Sequence, residues 1–95
     1  MNYRHQNITA AAPTTTVVKT GYGTLHSIII NKATANAVIT IYDGVTAASG
    51  SLIGTVTLPA TLLRSQDVLI YDVAFAEGLT IVTSTAACDL TISFE

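Results

Sequence analysis

The residues of this chain that could take part in acid–base or metal chemistry are few and scattered. They comprise two histidines, one cysteine and six carboxylates: His5, His26, Cys88, Asp43, Asp67, Asp72, Glu77, Asp89 and Glu95. Catalysis needs such groups close together and tuned to the reaction, and none of them lies in a catalytic motif. The sequence therefore predicts no enzyme, no catalytic residue and no cofactor.

The same residues do not form a metal-binding pattern. Zinc ligands usually come in close pairs, whereas the histidines and the cysteine are far apart in the sequence. Asp67, Asp72 and Glu77 flank one predicted strand but lack the dense oxygen spacing of a calcium loop. We therefore expect no metal site, a structural or surface role for His26, and a buried, apolar environment for Cys88.

Charged residues are unusually sparse. They make up 11% of the sequence, against about 25% in a typical soluble domain, and 16 threonines and 13 alanines take their place. The basic residues Arg4, Lys19, Lys32 and Arg64 are widely separated, and the net charge is −2. No basic stripe for phosphates and no apolar run long enough to span a bilayer is present. We expect neither a nucleic-acid nor a membrane partner.

The N-terminal segment is polar. Residues 1–7 lack the apolar stretch of a secretory signal. We expect a protein that is made and kept in the cytosol, or that leaves the cell by another route.

The elements that must position these residues are β-strands, because apolar residues recur with a period of two between turn residues. The alternation predicts strands over residues 15–20, 25–31, 37–42, 52–58, 67–75, 79–83 and 88–95, with a weaker strand near 4–9. Asp43-Gly44 and Glu77-Gly78 mark turns. The predicted fold class is all-β, an antiparallel β-sandwich of about eight strands.

Eight strands suit a jelly roll. An immunoglobulin-like topology is the alternative, although the cysteine pair and tryptophan typical of that fold are absent. We predict an N-terminal arm over residues 1–13 and a β-sandwich domain over residues 14–95.

Alternation also predicts which side chains face the core. The predicted core residues are Ile39, Ile41, Val56, Leu69, Tyr71, Leu90, Ile92 and Phe94. In the strand over residues 52–58, it places Leu52, Val56 and Leu58 inward and Ile53, Thr55 and Thr57 outward.

Candidate partner contacts fall into three groups. Ile28, Ile30, Val45 and Ile53 are apolar residues that we expect to be exposed and to line an oligomer contact. Arg4 and His5 lie in the predicted arm, and Tyr22 lies between two glycines. The alternative to an assembling structural protein is a small carbohydrate-binding or adhesion module, in which Tyr22 would supply the aromatic platform.

The chain resembles small structural proteins of tailed-phage virions over residues 14–95. The resemblance rests on the order and spacing of Lys19-Thr20-Gly21, Leu25-His26-Ser27-Ile28, Ile39-Thr40-Ile41-Tyr42-Asp43-Gly44, Gly78-Leu79-Thr80 and Asp89-Leu90-Thr91-Ile92. It implies a compact β-sandwich that assembles in the host cytoplasm into the virion, as a trimeric decoration or cement protein on the head or as part of a fibre. The implied partner is the major capsid protein or another virion protein.

Overall fold

Eight strands and no helix make up the part of the chain that the structure describes. The computed structural model describes residues 3–10, 14–46, 51–61, 66–84 and 88–95. The strands are β1 Arg4–Ala10, β2 Thr14–Thr20, β3 Gly23–Lys32, β4 Val38–Asp43, β5 Ser51–Thr57, β6 Asp67–Phe75, β7 Gly78–Thr83 and β8 Cys88–Phe94. All eight predicted strands are confirmed, because the period-two pattern persists from end to end.

The strands form two antiparallel sheets that pack face to face. Sheet A has the order β1-β8-β3-β6, and sheet B has the order β2-β7-β4-β5. Consecutive strands lie in opposite sheets except for the β4–β5 hairpin within sheet B, a pattern that matches a jelly roll of two Greek keys and differs from the immunoglobulin arrangement. The predicted β-sandwich is therefore confirmed.

The core lies between the sheets and consists of aliphatic side chains. Of the predicted core residues, Ile39, Ile41, Leu90, Ile92 and Phe94 are buried. The other three, Val56, Leu69 and Tyr71, are partly buried and pack against this cluster. Cys88 is also buried, as expected.

A β-bulge in β3 buries two residues that were predicted to be exposed contacts. Leu25 pairs with Phe94, and Ser27 pairs with the adjacent Ser93, so His26 is an extra residue in this strand. The extra residue shifts the alternation, and both Ile28 and Ile30 turn toward the core. Their exposed fractions are 0% and 2%. The prediction that they are exposed contact residues was wrong.

A second bulge, in β5, reverses the predicted orientations of two neighbouring side chains. Ile41 pairs with Gly54 and Tyr42 pairs with Leu52, which leaves Ile53 as the extra residue. As a result, Leu52 points outward with an exposed fraction of 59%, and Ile53 packs against the core. The sequence had predicted the reverse, since it assumed an unbroken alternation.

Most of the segment that we expected to be an arm is a strand. β1 pairs with β8 in a continuous antiparallel register from Arg4 opposite Phe94 to Ala10 opposite Cys88. Ile8 is buried against the core, while Arg4 and His5 are exposed. Residues 1–2 and 11–13 of the predicted arm lie outside the described residues.

Candidate interaction surfaces

The outer face of sheet B consists of small, uncharged side chains. Residues paired across neighbouring strands share a face of the sheet. Ile39, Ile41 and their partners on β5 and β7 face the core, so the residues that alternate with them along each strand face outward. We call this surface the Thr/Val face; its residues are Thr15, Val17, Val38, Thr40, Tyr42, Leu52, Thr55, Thr57, Thr80 and Val82.

No charged residue belongs to the Thr/Val face. Val17 and Leu52 are exposed hydrophobic residues on it. Thr80 is buried and donates a hydrogen bond to the carbonyl oxygen of Gly44 at 2.7 Å. The exposed side chain of Val45 lies beside this face, close to Gly78. Such a surface can be covered by another protein without removing a charge from water.

The outer face of sheet A has a different character. Asn7 donates a hydrogen bond to the Asp89 carboxylate at 2.8 Å, and Asn31 donates one to the Thr91 hydroxyl at 2.8 Å. Val68 and Ile70 add exposed apolar area at the edge strand β6. This face therefore combines charges and a polar network, and covering it would require those polar groups to be satisfied again.

His26 has a structural environment, as predicted. Its Nδ1 lies 2.5 Å from Oδ1 of Asp72 on the neighbouring strand. The ring of Tyr3 stacks on the imidazole with centroids 4.3 Å apart and an interplanar angle of 16°. Asp72 adopts a positive φ of 46°, which Asp tolerates better than most residues. The cluster links the N-terminal segment to β3 and β6.

Asp43 does more than end its own strand. Its carboxylate accepts hydrogen bonds from the backbone N–H groups of Ala76 and Glu77 in the turn between β6 and β7. Donation from Glu77, followed by that from Ala76, lowers the pKa of Asp43 because it favours the ionised form. Sequence reasoning identified the turn at Asp43-Gly44 but not this distant partner.

Cys88 is an unreactive thiol by its surroundings. Burial, and secondarily the negative charge of Asp89, raise the pKa of the Cys88 thiol. The described residues contain no group of three or more metal-ligating side chains. No helix long and apolar enough to cross a membrane occurs among those same residues.

The predicted contact residues do not form one site. Val45 borders the Thr/Val face, whereas Arg4 and His5 lie on β1 at the edge of the other sheet. Tyr22 is in the turn between β2 and β3 and has an exposed fraction of 81%. The sequence did not predict that the Thr/Val face forms one continuous surface, although the abundance of threonine indicated an uncharged surface.

Comparisons with known proteins identify no family. No protein-family model matches the chain, and no curated protein matches it. A chain in the structure of the infectious bursal disease virus Gx strain matches with a TM-score of 0.37 and 13% sequence identity. The match covers 97% of this chain and 32% of the viral chain, so this chain spans about a third of its length. A likeness at this level carries no argument about function.

Proposed function

We propose that this chain is a structural protein of a bacteriophage virion, and specifically a decoration or cement protein that binds the outer surface of the head. The observation that supports this role best is the Thr/Val face, a whole side of sheet B without charge. In this proposed role, the protein acts only by binding other virion proteins and has no enzymatic activity.

The size of the molecule suits a contact role. The described residues extend over 36 × 29 × 18 Å, so the sheets present their broad sides outward. A standard protein–protein interface takes about 800 Å² from each partner, which is on the scale of one such side. The Thr/Val face can therefore supply most of one specific contact with a capsid subunit.

The chemistry of the face suits the same partner. Threonine and valine present short side chains that lose little rotamer freedom on contact. No charge must be desolvated, so a weakly charged capsid surface can cover the face at low cost. Because a capsid repeats one binding site many times, modest individual contacts are multiplied when the decoration protein is itself an oligomer. We propose a trimer, as the resemblance implies.

The role is tested by co-sedimentation of the purified protein with expanded phage capsids that lack it. We expect saturable binding to the capsids and a trimeric mass for the free protein in sedimentation velocity at micromolar concentration. Failure to bind any such capsid would make the decoration role wrong and would favour a tail or fibre location. Deleting residues 1–13 is a poor variant for this assay, because it removes β1 and the buried Ile8.

A further inference from the structure

Two clefts adjoin each other at one end of the sandwich. The larger, of about 540 Å³, is lined by residues that include Lys19, Tyr22 and Glu95. The smaller, of about 400 Å³, is lined by Tyr3, Arg4, Lys19 and Glu95. Since Lys19 and Glu95 line both, the clefts are adjacent, and we call the two together the end groove.

The two exposed tyrosines of the protein line the end groove, Tyr22 in the larger cleft and Tyr3 in the smaller. Tyr22 is 81% exposed and Tyr3 is 41% exposed, whereas Tyr42 and Tyr71 are partly buried. Exposed aromatic rings are costly to leave in water, and their placement in a single groove suits a ligand with apolar surface.

The backbone on either side of Tyr22 and the ring of Tyr3 are held in place before any ligand arrives. Gly21, beside Tyr22, adopts a φ of 95° that directs the chain through a tight turn. A side chain at Gly23 would overlap the carbonyl oxygen of Glu95, so the strand that follows Tyr22 is packed closely. Tyr3 is fixed by its stack on His26. A stacked Tyr3 ring and a constrained backbone at Tyr22 reduce the entropy cost of binding.

Charged groups of both signs also line the end groove. The Nζ of Lys19 lies 5.8 Å from the centre of the Tyr22 ring, and Arg4 and Glu95 line the same groove. Within the described part of the chain, none of these three forms an ion pair. They can therefore donate and accept hydrogen bonds to a ligand. Asp43 also lines the larger cleft, so two carboxylates balance the two cations and the groove does not favour phosphate or other polyanions.

We propose that the end groove binds a short, neutral oligosaccharide. Sugar rings present apolar C–H faces that can stack on Tyr22 and Tyr3, and hydroxyl groups that can bond to Lys19, Arg4 and Glu95. Both clefts are open to solvent, which suits a chain of sugars that lies along the surface. This binding does not depend on the decoration role, since the Thr/Val face lies on sheet B and the groove lies at one end of the sandwich.

The experiment is a titration of the intact protein with maltotriose, cellotriose and triacetylchitotriose, followed by NMR, together with a screen on a glycan array. We expect binding to at least one of these probes or array glycans, with the largest shifts at Tyr22 and Lys19. Tyr22→Ala is expected to weaken binding about tenfold, whereas Tyr22→Phe keeps the ring and stays within about threefold of the unmodified protein.

Val68→Ala is the matched control, because Val68 is an exposed apolar residue near the start of β6, whereas the residues of β6 that line the groove, Ala74 and Phe75, are at its end. It is expected to bind like the unmodified protein, and all variants are checked for an unchanged thermal midpoint. The absence of binding to every probe and array glycan would overturn the proposal. So would a Tyr22→Ala variant that folds normally and binds with unchanged affinity.

Discussion

Asp43 ties together two segments that are far apart in the chain. The backbone N–H of Ala76 is shared between both oxygens of the Asp43 carboxylate, and the N–H of Glu77 donates to one of them. These bonds fix the β6–β7 turn against the end of β4. The turn-forming pair Asp43-Gly44 was visible in the sequence, but the acceptor role was not. Local propensity reports on neighbouring residues, and a contact across more than thirty positions depends on how the sheets assemble.

The lowered pKa of Asp43 predicts an acid-sensitive stability. A carboxyl group whose pKa is lower in the folded state stabilises the fold above its unfolded value of about 4, and this contribution is lost as the pH falls through the folded pKa. We expect Asp43→Asn to lower the thermal midpoint at pH 7 and to reduce its fall between pH 5 and about 3.

The measurement is the thermal midpoint by circular dichroism over this pH range. Glu77→Gln is the matched control, because it removes an exposed carboxylate from the same turn but keeps the backbone N–H that Asp43 bonds. If Asp43→Asn and the unmodified protein show parallel pH curves, the hydrogen bonds do not contribute as described.

At the scale of elements, the strands could be predicted and the bulges could not. Alternation alone placed β4, β6 and β8 and their inward faces, because a strand half buried on one side must alternate. The extra residues His26 and Ile53 are set by how each strand pairs with its neighbour, which a single strand does not encode. Each bulge exchanged the roles of adjacent residues, and the errors at Ile28, Ile30, Leu52 and Ile53 follow from that.

The bulge in β5 predicts opposite effects for two neighbouring residues. Ile53→Ala removes a side chain that packs against the core and is expected to lower the free energy of unfolding by about 1–2 kcal/mol. Leu52→Ala changes an exposed residue and is expected to stay within about 0.5 kcal/mol. Urea denaturation measures both. An uninterrupted strand would produce the reverse order, with the larger loss at Leu52.

The end groove could not be predicted from the sequence either. Its residues come from both sheets: from Tyr3 and Arg4, from β2, β3, β4 and β6, from the turns after β2 and β6, and from Glu95. The flanking glycines of Tyr22 are a signal in the sequence, and they indicate an exposed ring that could serve as a platform for sugars. Tyr3, Lys19 and Glu95 carried no comparable signal, since only the strand order of the jelly roll brings them to the same end.

At the scale of the whole molecule, the two sheets differ in what they offer to a partner. Sheet A presents carboxylates, histidines and a network of asparagine and threonine side chains. Sheet B presents the Thr/Val face, which carries no charge. The low charge of the sequence predicted a contact surface somewhere, and the topology determines where the uncharged residues gather. The central claim is that this face contacts other protein in the virion.

The most direct test of that claim is capsid binding by a protein with one charge placed on the Thr/Val face. Thr55→Lys introduces the charge at an exposed position in this face, and Thr9→Lys introduces the same charge on β1 of the other sheet. Because burying an unpaired charge at an interface costs several kcal/mol, we predict that Thr55→Lys binds capsids at least about tenfold more weakly than the unmodified protein. Thr9→Lys is predicted to bind normally. A folded Thr55→Lys protein that co-sediments with capsids as well as the unmodified protein does would contradict the assignment of this face.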